Sequence, residues 1–503
     1  MVGRRAGALM HPAIYEALVL GVMGFSGVGA GLLLGIRQAI PLAIVALGTT
    51  TVLRVWTAFA VWSFGVPFWN FEVWLAGSAA LLLAGIATHW RQWRVGIAAL
   101  GIFAGLSVVS LSTKYLLDIG ERHHSDISKV LGVALVVVQG DLDDLSQAAG
   151  SYKRGIAYPL LLALGPEDRI LGGFTPLVFL MTLLLASWLA RQFLPSSVSN
   201  RMLGLVSLGI AAFSVTVPIF RAAMFYLNGH TLMGFGVLLL VGGLLLARRG
   251  RHFGPLPTTF VLLGGVIGMT ARIEGVVMVL VVIAALVGQQ FWSQSVERIR
   301  LFAVLSLTGL SLTWWISSLD SPVLNRVGLP ENGLQLLVGL SIAGAALAAL
   351  PWIDPARRFL LPAVAFALAF LLGREVWQSG DPVSLILAQW PNLGLGAGGW
   401  GTAAHVFVAS ALLLGVRRRS SSYRLLLALS ALLIGAILYS KTFDGGFGRE
   451  GFYDSVNRMW LHVMPTILLT ALIGYSEVIK NASGSSEKTS PSRMGPDKLV
   501  SAN

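Results

Sequence analysis

Only 12% of the 503 residues are charged, so each ionisable side chain that stands beside an apolar stretch asks for an explanation. Four groups carry chemistry. The segment Lys114–Thr175 holds Glu121, His123, His124 and Asp126, carboxylates that can take up a proton and imidazoles that can bind a metal. His-His-x-Asp is a grouping able to hold a divalent cation; adjacent histidines also serve as plain polar contacts, and Asp126 as a helix cap. Further along the same segment come Lys153, Arg154 and Tyr158. The two cations suit anionic headgroups at a membrane surface. The third group is Arg272-Ile273-Glu274, and the fourth is Arg458 with His462, four residues apart and so expected on one helix face. Arg272, Glu274 and Arg458 stand at the ends of apolar runs, where an ionisable group is costly and faces a cavity or a partner. The chain has no cysteine, which excludes disulfides, thiolate metal sites and cysteine nucleophiles.

The elements that position these groups are membrane helices. Hydrophobic residues make up 55% of the chain, too many for a soluble surface to be covered. Apolar stretches recur that are long enough to cross roughly 30 Å of hydrocarbon as helices, about 15 in all. Short alternating segments of the β-barrel kind are absent from the sequence. The expected fold class is all-α, a polytopic transmembrane helical bundle. Its parts are N-terminal membrane helices over 1–113, a long external loop over 114–175, a larger bundle over 176–479 and a polar tail over 480–503.

The net charge of +13 is an orientation signal, not a nucleic-acid footprint. Alternate connections are basic: Arg91/Arg94, Arg191/Arg201, Arg248/Arg249/Arg251, Arg298/Arg300, Arg357/Arg358 and Arg417/Arg418/Arg419. Basic loops stay cytoplasmic, which puts the C-terminal tail inside and the acid-rich connections outside. Arg4 and Arg5 fit this least well at the start of the chain, and Arg54 falls inside the second span. If residues 14–65 cross once or re-enter, only the first turn changes side. No signal-peptide cleavage site follows the first apolar run.

The 114–175 loop predicts structure of its own. Asp126 to Gln139 carries apolar residues at helical spacing, and Ile156 to Leu164 is a second apolar run; both read as helices lying along the membrane interface. Asp141, Asp143 and Asp144 read as a solvated stretch. His405, inside an expected span, reads as a packing residue or a proton relay. The Gly-rich stretch 394–401 does not fit a phosphate loop, and the aromatics of the late external loops suit either sugar stacking or an interfacial belt.

Three segments resemble the C-type (GT-C) superfamily of membrane glycosyltransferases, which use polyprenyl-phosphate-linked sugars. They are Asp126 with its helix and the following Tyr158-Pro159-Leu160-Leu161-Leu162-Ala163-Leu164; Arg272-Ile273-Glu274-Gly275, similar to an Arg-Pro-Glu-Gly turn; and Asn457-Arg458-Met459-Trp460-Leu461-His462, similar to the start of the final helix. The chain departs from the pattern in having about three spans ahead of the loop where most members have one, and Ile273 where the turn has Pro. The resemblance implies a transferase in a bacterial inner or plasma membrane with an external active face. Its partners are a polyprenyl-phosphate sugar donor, a glycan, lipid or protein acceptor, and membrane lipids, with no nucleic acid. It implies Asp126 as general base, with Glu121 as alternative, and Arg272, Glu274, Arg458, His462, Lys153, Arg154 and Tyr158 around the lipid phosphate. A divalent cation at His123 and His124 is the cofactor it allows. Two other readings stay open: an O-antigen-type polymerase or ligase, whose large loop falls later in the chain, and a transporter or lipid flippase, for which Arg54 and His405 are the mid-membrane candidates.

Overall fold

The computed structural model describes residues 12–64, 71–116, 130, 132–134, 155–163, 173–193, 204–205, 208–209, 212, 216–225, 229–289, 295–317, 333–351, 354–379, 390–395, 397–406, 408–409, 421–443 and 455–473. Among the described residues the fold is helical, with no strand. In chain order the helices are α1 (Pro12–Leu33), α2 (Ala39–Phe64), α3 (Phe71–Thr88), α4 (Trp93–Leu116), α5 (Ala157–Leu162), α6 (Phe174–Phe193), α7 (Pro218–Phe225) and α8 (His230–Gly250). There follow α9 (Pro255–Ala271), α10 (Glu274–Val287), α11 (Ser295–Ser317), α12 (Gly333–Ala349), α13 (Leu360–Ser379), α14 (Ser421–Phe443) and α15 (Ser455–Met459). The last, α16, is Met464–Ile473.

Seven helices among the described residues are long and apolar enough to cross a membrane, and six shorter apolar helices accompany them. A shorter helix of 17 residues such as α9 still rises about 25 Å at 1.5 Å per residue, most of the hydrocarbon thickness. Two of the expected spans, near 202–219 and 401–416, are only half covered by the described residues. At the start of the chain, α1 and α2 form two separate helices joined by a tight turn at Gly35, not one crossing.

α8 is the centre of the bundle: along 21 residues almost every side chain is buried. It packs against α9, α6, α10 and α14. A helix apolar all round belongs in such a place, because it has no polar face to turn elsewhere. The lipid-facing helices show the opposite balance: only 6% of the apolar window of α13 is buried, and Phe366 and Phe370 stand on its outer surface. Leucine on that surface loses nothing in hydrocarbon, where helix contacts rest on close packing and hydrogen bonds.

The two ends of the bundle differ. At one end the basic connections interlock: Arg298 pairs with Asp354 at 2.8 Å, Arg357 donates to the Ala348 and Leu350 carbonyls, and Arg248 donates to Gln289 at 2.9 Å. Glu297 there accepts from the Phe253 N–H at 3.1 Å and lies 2.8 Å from His252 Nδ1. The other end carries the acidic and histidine groups described next.

One expectation is corrected by burial. α5 exists where the apolar run Ile156–Leu164 predicted a helix, but all six of its residues are buried in the protein, so it is not the amphipathic helix expected. Its sequence, AYPLLL, offers no polar face to headgroups, and it sinks between α2 and α9. Of the Asp126–Gln139 helix only Val130 and 132–134 are described, and they are helical.

Candidate functional site

Three polar clamps fix the described parts of the long loop against the helices. Glu16, near the start of α1, accepts from Lys114 Nζ at 2.7 Å, from the Tyr115 hydroxyl at 3.2 Å and from the Gly173 N–H at 3.0 Å. One buried carboxylate thereby holds both ends of the loop, and Ser110 donates its hydroxyl to the Gly173 carbonyl beside it. Arg54, buried inside α2, donates to the carbonyls of Leu160 and Ala163, both at 3.3 Å, and lies 5.5 Å from the Trp74 ring. Those carbonyls are at the C-terminal end of α5, where a helix has acceptors to spare and favours a cation. The third clamp is backbone: the Ile156 N–H donates to the Thr270 carbonyl at 2.7 Å. Gly155 makes that approach with φ +61 and lies flat against Ala271, a place with no room for a Cβ.

This docking brings Tyr158 beside the Arg272 turn. A Cβ added to Gly229 would lie 3.6 Å from Arg272 Cγ and 3.7 Å from Tyr158 Cβ, which measures how closely the three segments approach. The Tyr158 hydroxyl is hydrogen-bonded to Thr175 at the start of α6, and its ring packs on Phe174.

At the turn itself, α9 ends at Ala271, Arg272 is extended, and α10 begins at Glu274. The extended residue swings the guanidinium back over the next helix. Arg272 Nε donates to Glu274 Oε2 at 3.1 Å and one terminal nitrogen to Oε1 at 3.0 Å, a two-point pair with both side chains buried. The carboxylate also sits in the first turn of α10, where the helix dipole favours it.

From the C-terminal end of the chain come Arg458 and His462. The expectation of a single helix face is replaced by a break: α15 ends at Met459 and Trp460–His462 form a 3-10 turn before α16. Pro465 explains it, since it has no N–H for the Leu461 carbonyl and disfavours helix in the residue before it. The unwound turn presses on α8, where a Cβ at Gly234 would come within 2.8 Å of the Leu461 oxygen. The result is a contact between two rings: His230 Nδ1 and His462 Nε2 lie 2.7 Å apart, with ring centroids 4.9 Å apart. Both are buried, at 2% and 0% exposure. The charges of Arg272 and Arg458 both reach His230, and those of Glu274 and Arg272 reach His462.

Asn457, the residue before Arg458, ties this segment to the Gly-rich stretch. Its amide donates to the Gly398 carbonyl at 2.7 Å, and its oxygen accepts from Trp400 Nε1 at 2.7 Å. Trp400 is wholly buried and packs edge-on against Phe220 at 5.4 Å. This tryptophan therefore anchors the Gly-rich stretch and is not a stacking surface for a sugar. Phe220 in turn lines an apolar cleft with Phe179, Ala186, Thr231, Leu461 and Met464. Thr231 and Leu461, the chain neighbours of His230 and His462, both line this cleft.

Of the residues expected to form the site, Arg272, Glu274, Arg458, His462 and Tyr158 gather at the same end of the bundle. Asp126, Glu121, His123, His124, Lys153 and Arg154 lie outside the described residues. No group of three His, Asp or Glu able to hold a metal occurs among the described residues. His405 is exposed and lies edge-on to Trp390 at 6.1 Å. His230 and Glu16 were not expected; Arg54 was noted only as a transport candidate and Asn457 only as the first residue of the final-helix segment. For His230 the signal was weaker than for the arginines: a neutral imidazole opening an apolar run needs a hydrogen-bond partner but carries no fixed charge.

Comparison of the chain with family models, with curated proteins and with solved structures finds no match. Fold and site together define a helical integral membrane protein with a buried cluster of arginine, glutamate and histidine at one end of its bundle.

Proposed function

We propose that this chain is a C-type membrane glycosyltransferase: a bundle of about 15 spans that moves a sugar from a polyprenyl-phosphate donor to a glycan, lipid or protein acceptor on the outer face of a bacterial membrane. The observation that carries the reading is the buried contact of His230 with His462, from segments far apart in the chain, with the Arg272 turn packed beside Gly229, Arg458 four residues before His462, and an apolar cleft lined by Thr231 and Leu461. An amphiphile with an anionic head fits such a place. Arginine forks pair with phosphate oxygens, and the cleft takes an isoprenoid chain. Charge builds on the phosphate as the sugar departs, and pre-placed cations stabilise that state more than the starting one. Glu274 holds Arg272 in position without itself taking the proton. Asp126 remains the proposed base, with Glu121 as alternative; Lys153 and Arg154 are proposed to flank the phosphate, and His123 and His124 to hold a divalent cation.

The test is transfer in proteoliposomes supplied with a panel of polyprenyl-phosphate sugars. Arg458→Ala is expected to lower the rate about a hundredfold, the usual loss for one transition-state donor. Asp126→Asn is expected to abolish transfer while donor binding persists. Absence of transfer from every donor by the wild-type protein, or an unchanged rate in Arg458→Ala, sinks the reading.

A further inference from the structure

A neutral imidazole has one N–H and one bare nitrogen. The contact between His230 Nδ1 and His462 Nε2 uses one of each. Whichever ring donates, the pair is left with an N–H at one outer nitrogen and a lone pair at the other. Those outer atoms are His230 Nε2 and His462 Nδ1, and both are buried with no hydrogen-bond partner among the described residues. Buried polar atoms are nearly always satisfied, so two empty ones on a coupled pair call for a ligand. The surroundings say what kind. Two arginines and one carboxylate act on the pair, and the carboxylate is already taken by Arg272. The net field is positive, which suits an anionic oxygen as the acceptor for the outward N–H. Thr231 and Leu461, next to the two histidines in the chain, line the apolar cleft.

We propose that His230 and His462 act as one hydrogen-bonding unit that donates to the anionic head of an amphiphile whose chain occupies the adjoining cleft. In this unit one ring fixes the tautomer of the other, so the ring that does not touch the ligand is a positioning residue. The identity of the anion as a lipid phosphate rests on the transferase reading; the paired donor does not.

The experiment uses the full-length protein in detergent, with farnesyl phosphate as probe and farnesol as its uncharged counterpart. Wild type is expected to bind farnesyl phosphate more tightly than farnesol. His230→Asn and His462→Phe are each expected to weaken farnesyl phosphate about tenfold and leave farnesol unchanged, the effect of losing one hydrogen bond to a charged group. His462→Gln keeps a donor and is expected to recover part of the affinity. A second measurement needs no substitution: in wild type labelled with 15N-histidine, farnesyl phosphate but not farnesol is expected to shift the ring nitrogens of two of the eight histidines together. Unchanged affinity in the variants, equal loss of both probes, or unshifted ring nitrogens on binding overturns the proposal. If wild type does not distinguish the two probes, the phosphate reading fails as well, and failure of the variants alone leaves that reading standing.

Discussion

Replacing Glu16 by Gln removes the charge that holds both ends of the 114–175 segment. The carboxylate accepts from Lys114, Tyr115 and the Gly173 N–H, and it is buried. Glutamine keeps one acceptor oxygen and turns an NH2 group toward donors, so at most one of the stronger contacts survives. Hydrogen bonds to a charged group contribute about 1.5–3 kcal/mol each. The contact with Lys114 is discounted, because that side chain is 20% exposed and can reach water. A net loss of about 3 kcal/mol is expected, or roughly a hundredfold in the opening of the clamp at 1.4 kcal/mol per tenfold. Hydrogen exchange read by mass spectrometry reports that opening directly at Gly173 and in the first turn of α6. Those amides are expected to exchange roughly a hundredfold faster, while α8 keeps its protection. Adding Lys114→Met is expected to restore part of the loss, since the variant no longer leaves an ammonium facing an amide. Exchange at Gly173 unchanged by Glu16→Gln would refute the clamp.

Two further perturbations address other parts of the fold. Arg54→Met removes both donors to the Leu160 and Ala163 carbonyls, and relief of a buried charge offsets some of the loss, leaving about 1–3 kcal/mol. Faster exchange confined to Ile156–Ala163 is expected, and an unchanged rate there counts against the anchoring role. At the basic end, hydrogen bonding from Arg298, opposed by burial and helped by the charges of Arg357 and Arg298, holds the Asp354 carboxyl below its ordinary value of 3.8. A depressed value stabilises the fold above the ordinary one and is lost as pH falls through the folded value, so the window lies below about pH 4. The side chain is 47% exposed, so the effect is small. The Tm difference between wild type and Asp354→Asn is expected to shrink from pH 5 to pH 3; a gap that stays constant removes the linkage.

The apolar runs made the helices legible, because hydrocarbon leaves the backbone few alternatives to a helix. Depth was harder to read. The run Ile156–Leu164 looks the same in sequence whether it lies on a bilayer or inside the protein, and its partners there, Arg54, Thr270 and Thr175, are remote in the chain. Arg272, Glu274 and Arg458 could be picked out because a charge at the end of an apolar run is expensive. His230 escaped because it carries no fixed charge and sits beside a glycine. Its meaning depends on His462, and that contact needs the helix break that Pro465 imposes. Glu16 escaped for a similar reason: its partners are at positions 114, 115 and 173, a pairing no local pattern contains.

These long-range pairings also bear on how a charge inside a membrane span is to be understood. Arg54 was the main pointer toward transport, since a cation midway along a helix often marks an ion or substrate path. In the structure its guanidinium is committed to two backbone carbonyls and the Trp74 ring, all parts of the protein. A transported ion would have to displace these contacts and free the end of α5. His405, the other pointer, is exposed beside Trp390 and touches none of the buried cluster. Arg272, Glu274, His230 and His462 are buried and paired at one end of the bundle, and Arg298, Asp354, Arg357, His252 and Glu297 are paired at the other. A path across the membrane needs polar groups at several depths, whereas a site for a headgroup at the surface needs them at one. The proposed lipid-headed substrate requires only the cluster at the end that holds Arg272 and His462.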